Sequence, residues 1–511
     1  MSYIFCPGNK KSQLSEMNSD RTVQRGARIL SRLALSLMAF ILVNSFAAPL
    51  TQAQRGRQSG SRKSNGVAQR EQVASLLRDA AARLLSGKLD EAEPLVRRAV
   101  ALAPLDGDAH NLLGVILDQR GQTQAAEREY LEALRLNPQA ISARANLGVL
   151  LARTDRSEQA ASAFETVLRA APDHPQATLN LGLLYVAHGD YTRSIPLLER
   201  ANALRPNTFV VIYNLGIALY QLKRFDEAGS ALESAKALIP DDPGPLYYLG
   251  LLADARGQSE AAAELWEKAL ALRPDFPEAN FMLGEVLRKN DRAEGAKEFY
   301  ERALLQDPSK IVYYVRLGGV YMLLKQYDRA LEVFQRAAQR FPKIAEAHYF
   351  VGIAARGLAA YDVSEAALRK SLALQSDNAD ALAQLGFIVG ELGRYKEAEE
   401  LLRRAVALSN KHFYANYDLG RLLVKTRRYE EAIPILQRGV AIKASNPGAH
   451  YQLFMAFSRL KRKTEADTEL ALFKQLEEER KKRRLDADDV ENVEVDSPPA
   501  TPVQNASPKI P

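Results

Sequence analysis

Residues 311–344 read IVYYVRLGGVYMLLKQYDRALEVFQRAAQRFPKI, and this stretch decides the fold. Tyr314, Leu317 and Tyr321 recur at three- and four-residue steps, which places them on one face of a helix. Lys325 and Gln326 interrupt the apolar rhythm and mark a turn. Tyr327, Ala330, Phe334 and Ala337 then return at helical spacing. Phe341-Pro342 closes this second helix, because proline lacks the N–H that a continuing helix needs. Gly318, Ala330 and Ala337 are small where two helices approach; Tyr321 and Phe334 are large where the gap between them needs filling. One such pair cannot bury its own apolar face, so neighbours must cover it.

Sliding the frame by 34 residues supplies those neighbours. Gly318 has counterparts at Gly114, Gly148, Gly182, Gly216, Gly250, Gly284, Gly352, Gly386 and Gly420. The preceding leucine recurs from Leu113 to Leu419, the alanine of the second helix from Ala92 to Ala466, and the closing proline from Pro104 to Pro342. Four residue types held in one register make chance untenable. The pattern resembles the tetratricopeptide repeat family, whose signature is Leu-Gly, an aromatic, Ala, an aromatic, Ala and Pro at this period. The resemblance covers residues 73–480, with units starting at 73, 107, 141, 175, 209, 243, 277, 311, 345, 379, 413 and 447. It implies an all-α fold, a right-handed α-α superhelix (solenoid) of about twelve helix-turn-helix repeats, and it implies little about function.

Departures from the signature are few. Ser194 and Ser364 replace the alanine and still pack. Asn410 and Ala444 stand at proline places, Phe454 and Ala80 at glycine places. Atypical terminal units suit caps that have only one packed neighbour.

The ends of the chain differ from the array. Residues 1–53 carry a basic lead (Lys10, Lys11, Arg21, Arg25, Arg28, Arg32), an apolar stretch over 33–43, and Thr51-Gln52-Ala53 as a cleavage signal. This is a secretory signal pattern and predicts an exported protein, periplasmic in a bacterium or secreted. The alternative is an uncleaved membrane anchor over residues 29–50, since no charge follows Arg32 until Arg55. The one cysteine, Cys6, lies in this segment, so the array has neither disulfides nor thiolate metal sites. Residues 54–72, rich in Arg, Gln, Ser and Gly, read as a flexible basic linker. Residues 481–511 read as a charged, Pro-rich disordered tail. The two N-terminal segments carry +4 each and the tail −1, which accounts for the net charge of +7, and the array sums to zero. A neutral array lacks the concentrated basic face of a nucleic-acid binder, and membrane contact is expected only through the N-terminus.

Chemistry is hard to place in the array. His110, His348 and His450 share one place in the repeat and read as packing residues; His174, His188 and His412 fall in or near turns. No phosphate loop, zinc motif or nucleophile elbow occurs in the sequence. The expectation is no enzyme, no cofactor and no metal.

What remains is a binding surface. The resemblance implies that the first helix of each unit lines a concave groove. On that helix Asn146, Asn180 and Asn214 precede the Leu-Gly pair in three successive units. A side-chain amide both donates and accepts, so such a row can read the backbone of an extended peptide. One residue earlier stand Tyr213, Tyr247, Phe281, Tyr349, Tyr417 and Tyr451, which suit either hydrophobic subsites or packing between adjacent first helices. The family's clamp for chaperone tails needs cations at inner places, and Arg316 alone sits at the one that matters. The expected partner is a protein or peptide segment. The rival readings are a membrane-tethered assembly factor and a polysaccharide-binding or regulatory subunit of a larger complex.

Overall fold

The structure, a computed structural model, describes residues 62–495, with side-chain surroundings over 68–482. The signal or anchor segment and the last part of the tail lie outside the described residues. Among those described, every element is a helix, and there are twenty-four, running from Arg62–Leu85 to Lys463–Val495. The first helix begins inside the stretch whose composition suggests a linker, and the last runs past Arg480 into the charged tail. Neither extension contains a proline to stop it.

First helices of thirteen residues alternate with second helices of fourteen, as in Ile311–Leu323 and Tyr327–Arg340. The turn between them has one recurrent device. The fifteenth residue of each unit adopts the left-handed conformation, with φ between 55° and 84°. Glycine fills this place at Gly87, Gly121, Gly189, Gly257 and Gly393, where it carries no Cβ penalty. Asp155, Lys223, Asp291, Lys325, Ala359, Arg427 and Lys461 adopt the same conformation with a side chain. The bend lets the next N–H reach back to a carbonyl five residues earlier, as Gln122 does to Leu117 and Gln326 to Tyr321. This is the Schellman arrangement, and it satisfies backbone groups that the helix end leaves open.

Side-chain caps start many first helices. Asp106, Asn378 and Asn446 accept from backbone N–H groups of the first turn. His174 and His412 do the same through Nδ1, so these turn histidines have a structural task. His110, His348 and His450 are buried, and each bonds the carbonyl six residues before it (Pro104, Pro342, Ala444).

Packing within a unit turns on the recurrent glycine. A Cβ on Gly114 would lie 2.7 Å from Tyr130, one on Gly250 2.4 Å from Trp266, and one on Gly420 2.4 Å from Leu436. The large partner always lies sixteen residues later, on the second helix, so small and large alternate across one interface. Trp266, Tyr130, Phe164 and Phe334 are among the most deeply buried side chains.

The described residues divide into two compact units, an N-terminal one that ends at Asn290 and a C-terminal one that begins at Asp291. Within each, a helix packs against its neighbours in sequence, which is the architecture of an α-α solenoid. Among the described residues no helix is long and apolar enough to cross a membrane.

Candidate functional site

In the N-terminal unit the asparagine row is largely inside. Asn146, Asn180 and Asn214 are 6%, 9% and 5% exposed. Asn146 Nδ2 donates to Asn111 Oδ1 of the preceding repeat at 3.0 Å; Asn111 stands one place earlier in its own helix, where later repeats carry the aromatic row. Asn214 Nδ2 donates to the Val210 carbonyl of its own helix at 2.7 Å. Asn180 differs from both, because its Nδ2 is buried and has no partner. A buried donor left unpaired costs about 1–3 kcal/mol relative to a bonded one. Around it Gln176, Leu183 and Ala187 of its own helix are neutral and half-buried, while the preceding first helix carries Arg153, paired with Asp118, at the place that Ala187 holds here.

The aromatic row is packed sideways. Tyr213 is buried, stacks on Phe209 at 5.5 Å, and projects its hydroxyl into the space left by Gly244 of the next repeat. Tyr417 stacks on Phe413 at 5.7 Å and meets Gly448 of its own next repeat in the same way. Tyr247 lies between Tyr248 and Phe276, at 5.4 and 5.0 Å. Phe281 is half-buried. Tyr349 packs edge-on to Phe350 at 5.4 Å, and burial pushes its phenol up. Tyr451 is the exposed member, at 39%, against Phe454 and Phe473. Desolvation likewise raises the Tyr213 and Tyr248 phenols, so these hydroxyls stay neutral.

The C-terminal unit holds a cluster that the sequence reading did not single out. The guanidinium of Arg356 lies 3.9 Å from the centroid of Phe387, and that of Arg421 lies 4.8 Å from it. Arg356 also donates to Gln384 Oε1. Arg421 pairs with Glu391 at 3.0 Å and approaches Asp418 at 3.6 Å. Asp418 is 6% exposed. Burial pushes its carboxyl up to about 6, against the pull of Arg421 and Arg356, and Glu391 adds to the rise. Beside it is a cavity of about 20 Å³ bordered by Gly386, Gly390, Phe387 and Lys425, room for one water.

Comparison with known proteins supplies the family. Tetratricopeptide repeat models match residues 78–141, 145–208, 185–254 and 243–268. A model described as the C-terminal domain of cilia and flagella-associated protein 70 matches residues 268–487. The chain belongs to the tetratricopeptide repeat family. No curated protein matches it in sequence. Among solved structures it is similar to MamA (41-end) from Desulfovibrio magneticus RS-1, at 23% identity over 33% of this chain and 95% of that one, with a TM-score of 0.32. It is also similar to yeast Tom70, at 15% identity over 84% and 99%, TM-score 0.33. A tetratricopeptide repeat protein from Parabacteroides merdae ATCC 43184 matches at 20% identity over 49% and 99%, TM-score 0.36.

As a tetratricopeptide repeat protein the chain is a protein–protein interaction scaffold, of a family that typically binds rather than catalyses. Among the described residues no group of three His, Cys, Asp or Glu is placed to hold a metal. Asn111, Arg356, Phe387, Asp418 and Arg421 all lie on first helices, the face already suspected. A signal for Asp418 was present in the sequence, because it occupies the same place in its helix as Asn146, Asn180 and Asn214.

Proposed function

We propose that this protein is an exported scaffold that holds an extended segment of a partner protein along its first helices, with the amide row of the N-terminal unit bonding the segment's backbone. Export rests on the basic lead and apolar stretch of residues 1–53. The observation that carries the binding reading is Asn180. It is an unpaired amide donor set between two paired ones, and its helix neighbours Gln176, Leu183 and Ala187 are neutral. The donor is buried, so its side chain must turn outward to meet a ligand, and a peptide carbonyl is the neutral acceptor that it lacks. An amide row of this kind holds a backbone without selecting its side chains.

The test uses peptides selected by display against the full chain. Selected peptides are expected to bind Asn180→Ala about tenfold more weakly, the worth of one buried hydrogen bond. Asn214→Ala is expected to change affinity less, since its amide is already committed to Val210. Unchanged affinity in Asn180→Ala sinks the reading. Release of the protein into the periplasmic or secreted fraction tests export, and retention in membranes favours the anchor over residues 29–50.

A further inference from the structure

The C-terminal unit presents a cation without a carboxylate partner. Arg356 is half-buried on its first helix. Its charge meets one neutral acceptor, Gln384, and one ring face, Phe387. Nearby cations are committed elsewhere: Arg421 to Glu391 at 3.0 Å, and Lys425 over the Tyr395 ring at 5.1 Å. A guanidinium has five N–H donors, and one bond to an amide oxygen leaves most of its fork free. Stacking and the bond to Gln384 hold that fork in place, so little ordering remains to be done when a ligand arrives.

We propose that Arg356 and Phe387 form a receptor for an acidic side chain, an Asp or Glu within a segment of a partner protein, and that Asp418 sets how strongly it is held. Charge complementarity carries the assignment. The unpaired group is a planar cation, and a carboxylate is the planar anion that fits its fork. Phe387 serves the receptor by holding the guanidinium, since its ring is already covered by Arg356 and Arg421. The site is distinct from the family's clamp for chain ends. The place that Arg316 occupies in its helix holds Gln384 and Asp418 in units 379 and 413, and Arg356 lies six residues further along its own. Asp418 opposes an incoming anion when ionised and does not when protonated. The charged and titratable groups that face it are Arg421 on its own helix, Arg356 and Glu391 on the preceding first helices, and His412 in the turn before.

The inference rests on the reading of first helices as protein-binding faces, but its test is separate from that of Asn180, which belongs to the other unit. Two dye-labelled probes, tetraglutamate and tetraglutamine, each blocked at both ends, are titrated by fluorescence anisotropy against the full chain at low salt. Tetraglutamate is expected to bind, with tetraglutamine about tenfold weaker, the difference made by a charge-assisted bond. Arg356→Gln is expected to weaken tetraglutamate about tenfold, and Arg356→Lys to restore part of the loss by returning the charge without the fork. Any binding to basic segments elsewhere survives in Arg356→Gln and so is told apart. Wild type is expected to bind tetraglutamate more tightly at pH 5.5 than at pH 7.5, and Asp418→Asn to bind tightly at both. The proposal is overturned if the two probes bind alike, if neither binds, if Arg356→Gln matches wild type with unchanged helicity, or if the gain at pH 5.5 persists in Asp418→Asn.

Discussion

The sixth residue of the first helix is asparagine in three repeats of the N-terminal unit and aspartate in one repeat of the C-terminal unit, and the two have different fates. Asn146 is satisfied by Asn111 of the preceding repeat, and Asn214 by its own helix. Asp418 is as deeply buried, yet the nearest cation stands at 3.6 Å, beyond a good hydrogen bond. An amide adapts to either a donor or an acceptor, whereas a buried carboxylate needs positive charge in contact. At the three asparagines the N-terminal unit is therefore uncharged, and at Asp418 the C-terminal unit carries a charge whose cost appears in its titration. The two units share a backbone plan but present different chemistry on the same helix face.

Beneath that difference lies a common interface, and breaking it tests how alike the units are. Gly250 and Gly420 occupy the same place, and in each a Cβ would lie 2.4 Å from a buried side chain. In the N-terminal unit that side chain is Trp266, a rigid indole fixed by its Nε1 bond to the Tyr247 carbonyl at 3.0 Å. In the C-terminal unit it is Leu436, which can change rotamer. Gly250→Ala is expected to cost about 3 kcal/mol, the upper range for overpacking, and Gly420→Ala about 1. Urea unfolding measures both, and hydrogen exchange should place each loss in its own unit. Equal costs would show that the interface yields by backbone shift rather than by side-chain rotation.

The next effect in size belongs to Asp418. Its carboxyl titrates near 6 when folded and at an ordinary value when unfolded. The folded state therefore holds a proton that the unfolded state releases, and stability falls as pH rises through that window. Asp418→Asn is expected to stabilise the C-terminal unit by about 2 kcal/mol at pH 7.5, with the advantage vanishing near pH 4. The pair must be compared at each pH, because Glu365 is held below the ordinary range by Arg394, and Glu431 and, against its burial, Glu399 by Arg428, and these act in the opposite sense on acidification. An advantage that did not depend on pH would mean that Asp418 is satisfied as an anion.

Much of this was legible in the sequence, for a reason that also sets the limit. A repeat makes every copy solve the same packing problem, so Gly318 and Phe334 appear again as Gly114 and Tyr130, and periodicity exposes them. The asparagine row was legible as a row, but whether Asn180 has a partner depends on what neighbouring repeats place beside it, and no period reports that. The cluster around Phe387 escaped for the same reason. It takes the twelfth residue of one first helix (Arg356), and the ninth residues of the next two (Phe387 and Arg421), which differ in type, so the three repeats leave no recurrent residue at one spacing. The aromatic row was visible, but its packing was written one repeat away, in Gly244 and Gly448, which make room for Tyr213 and Tyr417.

The smallest effect sharpens the comparison at the turn. The left-handed place is glycine four times in the N-terminal unit, at Gly87, Gly121, Gly189 and Gly257, and in the C-terminal unit at Gly393. The turn geometry is the same in both, so the residues with side chains hold it under strain. Ala359, at φ 55°, is the cleanest case: it is exposed, and its side chain is too short to compensate by hydrogen bonding. Ala359→Gly relieves the crowding between Cβ and carbonyl but gives the unfolded chain more freedom, and the two terms oppose each other. The crowding is the larger, so the substitution is expected to stabilise by about 0.5–1 kcal/mol. Gly257→Ala is expected to destabilise by a similar amount, since the space around it is open and only the backbone conformation is at issue. Mirror-image shifts in the two denaturation midpoints would show that the turn is one device used throughout the array. A loss in both would show that the C-terminal turns have been refitted around their side chains.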